Sequence, residues 1–238
     1  MPIETVLLVF CILGVLSLVP FVVYLYREGK KQREISHYGD QAEERVSTYI
    51  RRNFPDSVLL DDVYLKAGRG LAQIDHILIC RWGVYCIETK SHNGMILTGR
   101  KEWVQKYRDK TVTFYDPVRQ SETHAKVLQQ ILDANGSFKK IKVEHLVVFT
   151  SRSVRFSRQQ KDVLRLNRLN ERIKTGQVSQ DGGAYPLTAR AGRKYLDPST
   201  VKSVARWIRR HCETNPVKQH MYKERIRERR IYRNRRRH

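Results

Sequence analysis

The chain has 238 residues, with 46 Lys plus Arg against 24 Asp plus Glu, a formal net charge of +22. That length suits one medium domain with appendages, and so large a basic excess points to a polyanionic partner, either nucleic acid or the anionic face of a membrane. The four cysteines, Cys11, Cys80, Cys86 and Cys212, form no C-x-x-C pair and have no partnering histidine spacing, which argues against a zinc site or a disulfide framework.

From Thr5 to Tyr26 the chain is uncharged and rich in Val, Leu, Ile and Phe, long enough to cross a bilayer core. A transmembrane helix is expected there, with Pro20 tolerated and Tyr24 and Tyr26 in an interfacial belt. A secretory signal peptide is the rival, but the basic start, short apolar core and small-residue cleavage site are missing. Arg27, Lys30, Lys31 and Arg33 follow the span and Glu4 precedes it. The positive-inside rule then predicts a single-pass membrane protein with its N-terminus outside and its main domain cytoplasmic. Residues 1–38 are read as this anchor plus a basic juxtamembrane spacer.

Ala42, Val46, Tyr49 and Ile50 recur at helical spacing through Asp40 to Arg52, and Phe54-Pro55 ends that amphipathic helix. Glu43 falls on its inner border. Ser57 to Leu65 reads as a strand, and Gly68 and Gly70 mark the turn before the most informative stretch, Ile74 to Lys90. This is a hairpin turning at Arg81-Trp82, with Cys80 and Cys86 as apolar fillers. Counting outward from a Cys80–Gly83 pair sets Asp75 opposite Glu88 on one face. Facing carboxylates repel unless a cation or proton lies between them, and a divalent metal is the natural occupant. Period-2 alternation brings Lys90 to that face, leaving Thr89 its backbone carbonyl. Two carboxylates, a carbonyl and a lysine suit metal-assisted phosphodiester hydrolysis. Read in isolation, Asp75, Glu88 and Lys90 equally suit an ordinary cross-strand ion pair at a sheet edge, and Glu43 a solvated helical residue.

Gly94–Gly99, Glu102–Val104 and Thr111–Tyr115 read as short strands of an attached meander. Pro117 opens a helix to Leu132 whose stripe is Val127, Leu128, Ile131 and Leu132, and Val143 to Thr150 is an apolar closing strand. The order helix, three strands, helix, strand predicts an α/β fold with a mixed sheet. Beyond it, Val163–Leu166 reads as a short strand and Gln177–Ala184 as a loop. Asp197-Pro198 caps a helix to about Cys212 with Val201, Val204, Ala205 and Ile208 inward. Arg225 to His238 is expected to be disordered or only conditionally helical.

Taken in order, Gly39-x-x-Ala42-Glu43-x-x-Val46, Ile74-Asp75-His76, Gly83-Val84-Tyr85-Cys86-Ile87-Glu88-Thr89-Lys90, Gly94 with Ile96, Trp103, and Asp116-Pro117-x-x-Gln120 resemble the nuclease-related domain family. That family sits in the restriction-endonuclease-like superfamily, whose core is αβββαβ. The resemblance covers roughly residues 39–150, and the ordered series is far more specific than a lone E-x-K. Ala42 stands where the family usually has Gly and Asp116 where it commonly has Asn; neither touches the proposed ligands.

The resemblance implies an active centre of Glu43, Asp75, Glu88 and Lys90 with Gln120 beside it. Mg²⁺ or Mn²⁺ would be held by Asp75, Glu88 and the Thr89 carbonyl, a hard-oxygen set. Residues 39–150 are thus expected to be a nuclease core, 151–215 an extension packing on it, and 216–238 a basic tail. Within the tail, Arg225, Arg229, Arg230, Arg233, Arg235, Arg236 and Arg237 are candidates for nucleic-acid or anionic-lipid contact. His76 alternates away from Asp75 and reads as a buried, partner-bonded histidine; His124, one turn beyond Gln120, is within conceivable reach of the site. Trp103 reads as core. The expected activity is a membrane-anchored, cytoplasm-facing, metal-dependent nuclease, DNA ahead of RNA. The alternative is a non-catalytic, membrane-tethered module that binds or senses nucleic acid.

Overall fold

A computed structural model describes residues 3–68, 70–176 and 195–235, and within these the side chains of residues 4–17, 31, 32, 35, 227 and 229–235 lie outside the described set. The chain divides into two compact units, Met1–Gln41 and Ala42–His238. Helix α1 is Ile3–Asn53, so it contributes to both units and the basic spacer is helical too.

Among the described residues no helix is long and apolar enough to cross a membrane. Much of the expected span from Thr5 to Tyr26 falls on residues 4–17, outside the described side chains. Its described remainder, Leu18 to Tyr26, is exposed and alone is too short for a bilayer core that takes about 20 residues.

The second unit is built on a five-stranded sheet of order β1-β2-β3-β7-β9. Its strands are β1 Val58–Ala67, β2 Gly70–Cys80, β3 Gly83–Lys90, β7 Val143–Phe149 and β9 Val163–Arg165. β1, β2 and β3 pair antiparallel; β3–β7 is parallel, joined by a crossover that includes α2, Pro117–Asp133, and β7–β9 is parallel as well. This is the expected mixed sheet. Alternation along β3 assigns its two faces. Val84 and Cys86 belong to a core with Leu128 and Leu132 of α2 and Val204 and Ile208 of α4, Pro198–Arg210. Tyr85 and Ile87 belong to one with Val46 and Ile50 of α1 and Leu169 and Ile173 of α3, Leu169–Thr175. Both faces of the hairpin are therefore dry, which is why its strands read as nearly continuous apolar runs.

The expected meander is a sheet of its own, in the order β6-β5-β4-β8: β4 Met95–Leu97, β5 Glu102–Tyr107, β6 Lys110–Tyr115 and β8 Arg155–Phe156. Ile96 and the fully buried Trp103 join it to Val147, Phe149 and Val163. Gly94 has φ +71°, and a Cβ there would lie 2.5 Å from the Lys106 carbonyl oxygen, so the chain enters β4 through a position only glycine fills without strain. The short β8 and the seven-residue α3 carry too few residues to show a period, and neither was anticipated. The expected Gln177–Ala184 loop lies outside the described residues.

Of the two expectations for the tail, disordered or only conditionally helical, the structure shows the helical one: α5 runs over Pro216–Arg235. Asn215 caps it, its Oδ1 accepting from Val217 N at 3.0 Å and Lys218 N at 3.4 Å, and Pro216 stands in the first turn. Arg, Lys and Glu are good helix formers, so a polar, basic composition that precludes a core does not preclude a helix. The start of α5 is tied to β1 where Lys223 Nζ meets Asp62 Oδ2 at 3.0 Å and Tyr222 packs edge-on against Tyr64.

Candidate active site

The β2–β3 register runs from Cys80↔Gly83 to His76↔Ile87, as the two-residue turn dictates. The next pair, Asp75 with Glu88, does not continue the ladder. Instead Asp75 Oδ2 accepts the Thr89 backbone N–H at 2.8 Å, a side chain standing in for the backbone acceptor. On the other edge of β2, pairing passes from Asp61↔His76 to Val63↔Ile74 and omits the position between, where Asp62 has φ +48°. Left-handed backbone at a non-glycine residue is a local strain, tolerated best by Asp and Asn. Asp75 thus sits at a break in both ladders.

Glu88 is 2% exposed. Its Oε1 accepts from Lys90 Nζ, and Lys90 Nζ lies 3.5 Å from Gln120 Oε1. Glu88 Oε2 lies 3.6 Å from His124 Nδ1, too far for a hydrogen bond, and neither atom has another partner among the described residues. Gln120 and His124 project together because they are four apart on α2. That helix starts where it does because Asp116 Oδ1 accepts from Val118 N at 2.9 Å and Arg119 N at 3.3 Å.

Asp75 keeps part of its surface open, yet its carboxyl is held well above the usual carboxylate range. Burial is the largest cause, followed by the charge of Glu88; Lys90 opposes both, Glu43 adds to them, and the Thr89 N–H lowers it. Glu43 therefore lies close enough for its charge to be felt at Asp75. Burial, joined by the charge of Lys90, lowers the His124 pKa against the pull of Glu88. Of the residues read from the sequence, Asp75, Glu88, Thr89, Lys90 and Gln120 come together, and Glu43 is linked to them through its charge at Asp75. His124 joins them; its spacing of one turn from Gln120 was the only signal for it. Arg225 is exposed on α5, whereas the side chains of Arg229, Arg230, Arg233, Arg235, Arg236 and Arg237 lie outside the described residues.

On the other face of the sheet, His76 of β2 is 1% exposed and bonded on both ring nitrogens, to Asp61 Oδ1 at 2.8 Å and Thr89 Oγ1 at 3.0 Å. Ser47 Oγ of α1 donates to the same Asp61 oxygen at 2.9 Å. Thr89 is thus fixed from both sides, its N–H by Asp75 and its hydroxyl by His76. His76→Ala should cost about 2–4 kcal/mol, a cavity plus unsatisfied buried partners, measured by guanidinium unfolding. Burial raises the Asp61 pKa, but hydrogen bonds from His76 and Ser47 and the charges of His76 and Arg51 outweigh it, for a net lowering. Its contribution is present above the unfolded value of about 3.9 and is lost as pH falls through the folded one. The wild-type advantage over His76→Ala should therefore shrink below about pH 4; a constant gap would show that Asp61 draws nothing from His76.

Among the described residues no group of three or more His, Cys, Asp or Glu side chains is arranged to hold a metal ion. Mg²⁺ asks for less, since it is usually held by one or two carboxylates and keeps several waters. The orphaned buried Glu88 Oε2 and the nearby Asp75 carboxylate are hard-oxygen donors of that kind, and the donor set fits.

Residues 38–150 match the family model described as nuclease-related domain. An uncharacterized protein of Bacillus anthracis is 34% identical over 73 residues, 30% of this chain and 34% of that protein. The chain therefore spans about a third of the length of the curated relative it matches. No solved structure matches it. The segment with helix, hairpin, crossover helix and parallel strand is also the segment that matches, so this chain carries a nuclease-related domain of the restriction-endonuclease-like superfamily.

Proposed function

We propose that the domain hydrolyses phosphodiester bonds of nucleic acid, DNA ahead of RNA, using Mg²⁺ or Mn²⁺ held by Asp75, Glu88 and the Thr89 carbonyl. Residues 5–26 would anchor it in a membrane, with the N-terminus outside and the domain on the cytoplasmic side; the apolar sequence of that stretch supports this reading. The observation that carries the enzymatic reading is the meeting of Asp75, Glu88, Lys90 and Gln120 within a nuclease-related domain.

A bound divalent ion supplies Lewis acidity and neutralises charge at the scissile phosphate. Lys90 adds a fixed positive charge where the phosphorane develops. Gln120, whose amide exchanges no proton, orients water or a phosphate oxygen. Glu43 adds the negative charge that a second ion or an ordered water requires. The net charge of +22, including the arginine-rich sequence of the tail, draws in the phosphate backbone or anionic lipid.

The test incubates the detergent-solubilised full chain, and its Asp75→Ala variant, with labelled single- and double-stranded DNA and RNA in Mg²⁺, Mn²⁺ or chelator. Metal-dependent cleavage, absent in the variant while binding persists, is the expected result. Undiminished cleavage by the variant would remove this site; salt-sensitive binding without turnover by either protein would make the tethering module the better account. In membranes from cells producing the full chain, release of the protein by alkaline carbonate would sink the anchor.

A further inference from the structure

Glu88 Oε2 and His124 Nδ1 face each other at 3.6 Å, both buried, neither hydrogen-bonded among the described residues. A buried carboxylate oxygen and a buried imidazole nitrogen would ordinarily close to a hydrogen bond near 2.8 Å. These two hold a gap instead, although Glu88 Oε1 is already engaged by Lys90 and His124 is 9% exposed on a well-capped helix. Two donors each about 2.1 Å from one ion stand roughly 3.0 Å apart at a right angle and roughly 3.4 Å apart at the tetrahedral angle. The observed 3.6 Å lies roughly 0.2 Å beyond the tetrahedral value and roughly 0.6 Å beyond the right-angle one, and it is longer than a direct hydrogen bond.

We propose that His124 is a ligand of the divalent ion, giving the site one imidazole nitrogen beside the Glu88 oxygen and so a preference for Mn²⁺, or another first-row ion, over Mg²⁺. This rests on the metal-dependent reading above and deepens it. Mg²⁺ binds oxygen almost exclusively, whereas imidazole suits the transition ions, so one nitrogen in an otherwise oxygen set shifts the choice of ion without abolishing Mg²⁺ binding. His124 reaches the ion from α2, while Asp75 and Glu88 reach it from the sheet. The site would then tie the crossover helix to the hairpin.

The experiment is pulsed electron paramagnetic resonance on the full chain loaded with one equivalent of Mn²⁺. A ¹⁴N modulation should appear and be replaced by ¹⁵N coupling when the wild-type chain is grown on ¹⁵N-histidine, a control independent of how any variant folds. In His124→Gln, Mn²⁺ should still bind, without nitrogen coupling, and the Mn²⁺-over-Mg²⁺ preference should narrow by about tenfold. Stoichiometric Mn²⁺ with no nitrogen coupling in the wild type, or coupling retained in His124→Gln, overturns the His124 assignment while leaving the metal site standing. Failure of the wild type to bind Mn²⁺, or binding unchanged by Asp75→Ala, overturns the metal reading itself.

Discussion

Replacing Lys90 with methionine should destabilise the metal-free protein by about 3–5 kcal/mol, the cost of leaving a buried carboxylate without its partner, and should lower cleavage at least about 100-fold. The Glu88 side chain is 3% exposed and that of Lys90 14%, so solvent does little to replace the lost ammonium. Two further measurements separate the effects. Removing both charges in Glu88→Gln/Lys90→Met should recover most of the stability, because a buried pair exchanged for neutral groups of similar size is close to neutral overall. It should recover none of the cleavage. Adding Mn²⁺ to Lys90→Met should restore part of the stability, since a divalent ion supplies the missing positive charge to Glu88. Denaturant unfolding of the wild type, Lys90→Met, Glu88→Gln and the double variant, in chelator and in Mn²⁺, reads all of these. A coupling energy below about 0.5 kcal/mol would place the pair with exposed ion pairs, contrary to its burial.

The hairpin was legible because its information is local. Two dry faces give apolar runs, a two-residue turn fixes the register, and alternation then assigns Glu88 and Lys90 to one face and Thr89 to the other. Register alone set Asp75 squarely across from Glu88. The structure breaks the ladder there, since the Asp75 side chain captures the Thr89 N–H and Asp62 turns into left-handed backbone. A pattern of polar and apolar residues cannot report that kind of competition between side chain and ladder. His76 was correctly turned away from the site, but its Asp61 and Thr89 partners come from two other strands and only pairing reveals them. His124 was within view and ungraded by any pattern, because a histidine on a half-buried helix face looks the same whether it packs or binds. The helix over residues 216–235 was legible only in part, as one of two alternatives for its second half, for a different reason: composition reports whether a segment can bury a core, whereas an Asn-Pro start and good helix formers decide whether it forms a helix.

Asp75→Asn should act in opposite directions on stability and on activity. In chelator at neutral pH the variant should melt about 2–4 °C above the wild type, the shift that about 1 kcal/mol produces in a domain of this size. Asparagine keeps an oxygen to accept the Thr89 N–H and removes a carboxylate that burial and the Glu88 charge both disfavour. The sign follows from linkage. Because the folded carboxyl titrates well above its unfolded value of about 3.9, folding carries no penalty below that pH, where the group is neutral in both states. The penalty grows as pH rises and is complete above the folded pKa. The two melting curves should therefore converge in acid and separate towards neutrality. Mn²⁺ should reverse the order: an ion at 100 times its dissociation constant stabilises the wild type by about 2.7 kcal/mol, while the variant, lacking a charged ligand, gains much less. A protein that is less stable intact than mutated until its ion arrives has its acidic cluster arranged for that ion. Equal Mn²⁺ shifts in the two proteins, or a variant less stable at every pH in chelator, would show instead that Asp75 serves the fold through its bond to Thr89.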